Sequence, residues 1–278
     1  MRRRLIQDGT AVNWRSADWN TPVIVNADDF GYSAAINRAI VASFERGYTS
    51  STTLMANMPG FEEACDLVHE HRLQGHIGMH FVLCEGRPLT EAMKRRLTFC
   101  SRDGVFCLTR QQRVLRLDLS EKACLADELR AQVRRLHDRN IVITHADSHR
   151  HMHEEWGILG VVMRVCREQR IPFVRLGRNC GPRRHPLKKL YRALVNRRIR
   201  KAGLAKTRYF GMLRDYEHLV STREGLSSSD SVEIMIHPAY GADGELIDAT
   251  NGESLASLCE RAGLVGRGVS FSGQQWRS

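Results

Sequence analysis

The 278-residue chain contains no apolar run approaching the roughly 18 residues that a membrane-spanning helix needs, although 42% of it is hydrophobic. No Cys-x-x-Cys pair occurs among its eight cysteines, which stand at 65, 84, 100, 107, 124, 166, 180 and 259. That spacing excludes a zinc knuckle and a redox dithiol, and a chain of this length needs no disulfide framework, so reduced structural thiols are expected. There is no Gly-x-Ser-x-Gly elbow, no glycine-rich phosphate loop and no dinucleotide fingerprint. Serine-nucleophile hydrolysis of that type, nucleotide phosphate binding and nicotinamide chemistry therefore lose their usual signatures. A Pro/Gly/Ser-rich linker, an internal repeat and a low-complexity block are also missing, which predicts a single domain over 21–278. The first twenty residues begin Arg2-Arg3-Arg4 but lack the apolar core of a signal peptide; they read as a polar leader, and the protein as cytoplasmic.

Acids are missing from one long stretch. Between Arg178 and Arg208 lie twelve lysines and arginines and no aspartate or glutamate, enough to account for the whole net charge of +11. Such a segment is either a solvated basic helix or a surface for anionic partners: a phosphorylated, nucleotide-linked or lipid-linked substrate, or the headgroups of an anionic membrane touched peripherally. Nucleic acid is disfavoured, because no binding motif and no interleaved aromatics accompany the charge.

What is present is a rhythm of short β-branched runs alternating with helical periodicity. Val23-Ile-Val25 reads as a buried strand that runs out into Asp28-Asp29 and the turn residue Gly31. Ser33 caps a helix whose apolar residues Ile36, Ile40, Val41 and Phe44 share a face, with Gly47 as its stop. Further strands are expected within 49–58, 75–83, 141–149, 173–176, 208–212 and 232–238. Helices are expected over 61–71, over 120–139 with Ser120 as cap, over 155–169, through the basic segment, and over 253–262. This alternation predicts an α/β fold with right-handed crossovers, an irregular (β/α) barrel of about seven parallel strands. The breaker-rich segment 84–118 would lie over the barrel mouth and shape a substrate site.

In such a barrel the strand ends share one rim, which carries the chemistry. Here those ends offer Asp28 and Asp29, then His80, then Asp147-Ser-His149-Arg-His151-Met-His153, then His237. A carboxylate and two neutral imidazoles form a ligand set that leaves positions open for water and substrate. A cation so held polarises a carbonyl and acidifies water, so metal-assisted hydrolysis leads. The alternation of His149, His151 and His153 would place all three on one side of an extended segment. His69, His71 and His137 read as ordinary surface or core residues.

Four stretches then carry a resemblance: Ile24-Val-Asn-Ala-Asp-Asp-Phe-Gly31, Gly78-Met-His-Phe81, Thr144-His-Ala-Asp-Ser-His-Arg-His-Met-His153 and Glu233-Ile-Met-Ile-His-Pro238. In this order and spacing they resemble the YdjC-like carbohydrate deacetylases, a group that includes chitooligosaccharide deacetylases and is distantly similar to NodB-type polysaccharide deacetylases. The likeness runs from about Val23 to Phe271. It implies a deformed barrel and an N-deacetylase that releases acetyl groups from N-acetylated sugars. It places Asp29, His80 and His149 on the ligands of one divalent ion, magnesium or zinc. Asp28 falls on the general base and His237 on the general acid. Asp147, His151 and His153 are expected to support the ligands or meet substrate, and Arg175, on the fifth strand, to orient Asp28, bind substrate or form a plain salt bridge. Two other readings stand beside it: a barrel metallohydrolase acting on a phosphoester or cyclic amide, and a non-catalytic protein binding glycan or anionic membrane. A homodimer is compatible with all of them.

Overall fold

The computed structural model describes residues 21–109, 114–181, 185–222, 226–227 and 229–273. The leader 1–20, and Arg183 and Arg184 of the basic segment, lie outside the described residues. Six strands form one parallel sheet: β1 (Val23–Phe30), β2 (Ser51–Leu54), β3 (Ile77–Phe81), β4 (Ala146–Ser148), β5 (Tyr209–Met212) and β6 (Val232–Ile236). Their order is β4-β3-β2-β1-β6-β5, so the first strand is central. Val23, Ile24, Val25 and Ala27 are all buried, as a strand covered on both faces requires.

The sheet curls. At the β4 edge, Ala146 N donates to Phe173 O at 2.8 Å and Arg175 N to Ala146 O at 2.9 Å. At the β5 edge, Asn179 N donates to Phe210 O at 3.0 Å. The segment from Phe173 to Asn179 thus spans both edges and ties them together, giving the irregular barrel. The seventh strand expected over 173–176 is reduced to one bridge, Val174 with Ala146. Its neighbour β4 is only three residues long, and the chain leaves it to reach β5.

The helices are α1 (Ala34–Glu45), α2 (Phe61–Glu70), α3 (Glu91–Lys94), α4 (Leu119–His137), α5 (Trp156–Glu168), α6 (Pro186–Lys201), α7 (Leu213–Thr222) and α8 (Leu255–Arg261). Ser33 caps α1, its side chain accepting from Ile36 N. The cap of α4 is not Ser120 but Asp118, which forms a reciprocal capping box with Glu121. A carboxylate at that position also meets the positive end of the helix dipole, which favours it over a serine two residues later. Leu125, Leu129, Val133 and Leu136 of α4 are fully buried, each contributing about 1.5–3 kcal/mol as an upper bound.

Two polar residues of α4 are buried for a different purpose. Glu128 accepts from Leu89 N at 3.0 Å, Thr90 N at 2.9 Å and the Thr90 hydroxyl at 2.8 Å. Gln132 exchanges hydrogen bonds with both backbone groups of Val82. These bonds anchor the long loop after β3 to the helix below it. A second, antiparallel sheet was not expected: β7 (Pro238–Tyr240), β8 (Leu246–Asp248) and β9 (Glu253–Ser254). It follows β6 at once and turns at Asp243-Gly244, where Gly244 has φ +80°; its strands are too short to show an alternating pattern. None of the eight cysteines is bridged, and only Cys107 is exposed.

Candidate active site

The site begins with a backbone irregularity. Between Ala27 and Phe30 the register of β1 against β2 shifts, and Asp29 sits in the left-handed region with φ +73°. In a regular strand, neighbours point to opposite faces. The shifted register and the left-handed residue turn Asp28 and Asp29 to one cavity, whose wall they share with His237. Such a φ costs a non-glycine residue about 1–3 kcal/mol. Hydrogen bonds on either side hold it: Met55 N donates to Phe30 O at 2.8 Å, and Gly31 N to the Asn37 side chain at 2.7 Å. Gly31 is required, since a Cβ there would lie 2.9 Å from Met55 O at φ +86°.

Asp29, His80 and His149 meet around one point, their ligand atoms all within 4.8 Å of one another. Asp29 Oδ1 is 3.2 Å from His80 Nε2 and 2.9 Å from His149 Nδ1. His80 is held from behind: its Nδ1 lies 2.6 Å from Asp147 Oδ1 and 3.0 Å from Thr53 Oγ1. That contact directs Nε2 towards Asp29, the arrangement typical of a metal-ligating histidine. Nε2 is buried and has no hydrogen-bond partner among the described residues. Burial alone would lower the basicity of His80, but Asp147 and Asp29 raise its pKa to about 10. Burial would likewise raise Asp29, yet His149 and His80 hold it well below the usual carboxylate range. A site that pulls this hard on a proton also favours a cation. An orphaned imidazole nitrogen, a carboxylate and a second imidazole fit a divalent ion with borderline-soft preferences.

A second cluster of possible ligands, Asp28, His80 and Asp147, is already satisfied by an organic cation. Arg175, fully buried, grips Asp28 through Nη1 at 2.6 Å and Nη2 at 2.7 Å. Its Nη1 also lies 2.5 Å from Asp147 Oδ2, and its Nε donates to Glu233 at 2.5 Å. One guanidinium therefore faces three buried carboxylates. Asp28 and Asp147 stay ionised: burial opposes this, and Arg175 overcomes it. Glu233 yields, pushed up to about 7 by burial despite its contact with Arg175. Asn26 adds a bond from Nδ2 to Asp28 Oδ1 at 2.9 Å, and its Oδ1 lies 3.1 Å from His145 Nε2. His145 fits beside β3 only because position 78 is glycine; a Cβ there would lie 2.4 Å from the imidazole.

His237 stands at the end of β6 with Nδ1 3.0 Å from Thr250 Oγ1. Ala249 N donates to His237 O at 2.8 Å, so the small second sheet and its turn fix the far wall. The cavity between them measures about 190 Å³.

The histidines after β4 do not line one side of an extended segment. His149–Glu154 is a 3-10 turn in which Arg150 and His151 are left-handed, with φ +52° and +56°. His149 reaches Asp29. His153 turns beneath, fully buried, with Nδ1 2.7 Å from Ser148 Oγ. His151 faces the rings of His153 and Phe210. Sequence reasoning passed over Glu85, on the anchored loop, whose Oε2 is 3.2 Å from His149 Nε2 while Oε1 accepts from Tyr32 OH at 2.7 Å. No spacing signal marks it. Asn26 was legible in principle, two residues before Asp28 on the same side of β1. The cations of the basic segment are elsewhere: Arg178, Lys189, Arg192 and Arg197 line a separate groove of about 660 Å³ along α6.

Residues 22–265 match the family model described as YdjC-like protein. The chain is similar to a carbohydrate deacetylase of Geobacillus stearothermophilus, 33% identical over 217 residues, covering 78% of this chain and 79% of that one. It is 35% identical over 222 residues to a carbohydrate deacetylase of Brevibacillus brevis, covering 78% and 81%. Its fold is similar to a crystal structure from Enterococcus faecalis V583, described as a candidate cellobiose-phosphate cleavage protein. The TM-score is 0.62 at 20% identity, with 91% of this chain and 98% of that one covered.

Proposed function

Because this chain belongs to the YdjC-like family, we propose that it is a carbohydrate N-deacetylase that works with one divalent cation held by Asp29, His80 and His149. The observation that carries this reading is the meeting of those three residues within 4.8 Å beside a cavity walled by Asp28 and His237. The cation, magnesium or zinc, would polarise the acyl carbonyl and acidify water.

The chain's own residues account for the proton transfers. Asp28 takes a proton from the attacking water as the water oxygen bonds to the acyl carbon. Arg175 and Asn26 hold both Asp28 oxygens, so the base enters ionised and in one orientation. His237, fixed at Nδ1 by Thr250, delivers a proton to the sugar nitrogen as the C–N bond breaks. Acetate and a free amine are the products. Asp147 acts through His80, and Arg175 through Asp28; both are positioning residues. His151 and His153 support the turn that presents His149.

Acetate release from a panel of N-acetylated sugars tests the reading, run with Asp28→Asn and His237→Asn. Both variants should lose at least about a hundredfold in kcat. Metal uptake with no acetate from any sugar would move the search to another scissile bond.

A further inference from the structure

The outward face of α6 combines two features that a merely solvated helix does not need. Its inward face is fixed: Val195, Asn196 and Ile199 are buried, and the Asn196 amide bonds both backbone groups of Gly177, at 2.7 and 2.9 Å. With that face inward, helical spacing turns Leu187, Leu190 and Leu194 outward, and they are 72%, 59% and 45% exposed. Leu115, 55% exposed, borders the same end of the helix, sharing a shallow pocket with Leu187. Arg197 and Lys201 continue the leucine face towards the C-terminus, Lys188 and Lys189 flank it, and α6 contains no acid.

We propose that α6 is an interfacial helix that docks the protein on an anionic membrane, its leucines entering the headgroup boundary and its cations meeting lipid phosphates. An apolar stripe within a cationic, acid-free helix is the pattern of segments that lie in the interface plane, and the positive charge complements an anionic leaflet. Nucleic acid would use the cations but leave four exposed leucines without a partner. No helix among the described residues is long and apolar enough to cross a bilayer, so the contact is peripheral. The docking helix is coupled to the catalytic rim. Tyr191 OH donates to Glu154 O at 2.8 Å, and Glu154 closes the turn that opens with His149. Docking would therefore hold the cavity close to sugars presented at a membrane surface. The proposal is independent of the reaction assigned above.

Sedimentation of the full chain with vesicles tests it, comparing phosphatidylcholine alone with phosphatidylcholine plus phosphatidylglycerol. Binding is expected only to the anionic vesicles and should weaken with salt. The triple variant Leu187→Ser, Leu190→Ser, Leu194→Ser, with its thermal melt as a folding control, should bind more than about tenfold more weakly. Lys189→Gln, Arg197→Gln, Lys201→Gln should lose roughly fivefold per charge, and would serve alone if the leucine variant failed to fold. The proposal is overturned if no vesicle is bound, or if a folded leucine variant binds as the parent does. A parent dimer that the leucine variant dissolves would also overturn it, assigning the face to a second copy. So would a duplex oligonucleotide displacing the vesicles and binding the leucine variant undiminished.

Discussion

Asp28 and Asp29 are adjacent in the chain yet wall one cavity, because Asp29 is left-handed at φ +73° within an irregular stretch of β1. The backbone thus sets two carboxylates side by side in different charge environments. Asp28 faces a guanidinium and Asp29 faces two imidazoles. That difference supports the proposal that Asp28 accepts a proton while Asp29 holds a cation.

Substitutions at Asp29 should divide backbone from charge. Asn tolerates the left-handed region, so Asp29→Asn should melt close to the parent while losing bound divalent metal. Asp29→Val should lose the metal and a further 1–3 kcal/mol or so of stability, from strain at a β-branched residue. Metal content by elemental analysis and thermal melts together check both.

Among the described salt bridges, Arg175 is the one cation that Asp28, Asp147 and Glu233 share. Arg175→Gln should cost about 3–5 kcal/mol, since it strands buried carboxylates. Arg175→Lys should recover part of the stability but not the bidentate grip on Asp28. A lysine variant with lowered kcat and little change in KM is the expected signature of a positioning residue.

Stability should depend on pH in a direction set by buried histidines. Burial lowers His145 to about 3 and His153 to about 4, from an ordinary 6.5. Between those values and 6.5 the unfolded chain binds more protons than the folded one. The stabilisation is complete above about pH 6.5 and is lost as pH falls through that window. His80 has the opposite sign: raised to about 10, it favours the metal-free fold most below 6.5 and loses that contribution as pH rises towards 10. Denaturant melts of metal-free protein should show a neutral optimum. His153→Gln should flatten the acid limb, and Zn2+ should offset the loss on the alkaline side.

Glu85 should tune the proposed metal site from outside it. Removing its contact with His149, at 3.2 Å, should weaken metal affinity about 10–100-fold in Glu85→Ala. Competition with a chromophoric chelator reads this directly. Unchanged affinity would leave Glu85 as a loop anchor through Tyr32, Arg150 and Asn57.

Much of this arrangement was legible in the chain because it is written in local patterns. Val23-Ile-Val25 ends in two acids, and His80, His149 and His237 each follow an apolar strand. In a parallel barrel those ends share a rim, so the pool of candidates could be drawn up without coordinates, while the choice of Asp29, His80 and His149 within it came from the family resemblance. What was hidden depends on φ values and on distant partners. The left-handed Arg150 and His151 break the alternation that would have aligned His149 with His153. Asp118 outcompetes Ser120 as a cap because it can close a box with Glu121. Glu85 reaches the site because Glu128 and Gln132 of α4 pin the loop that carries it, and Tyr32 and Asn57 hold Glu85 itself.

The most direct test measures metal and acetate on the same preparations: parent, His149→Ala and Asp28→Asn. The parent should hold one divalent ion per chain and release acetate from an N-acetylated sugar. His149→Ala should lose both, and Asp28→Asn should keep the ion and lose the acetate. Undiminished acetate release from Asp28→Asn, or an unchanged metal content in His149→Ala, would contradict the assignment of this site.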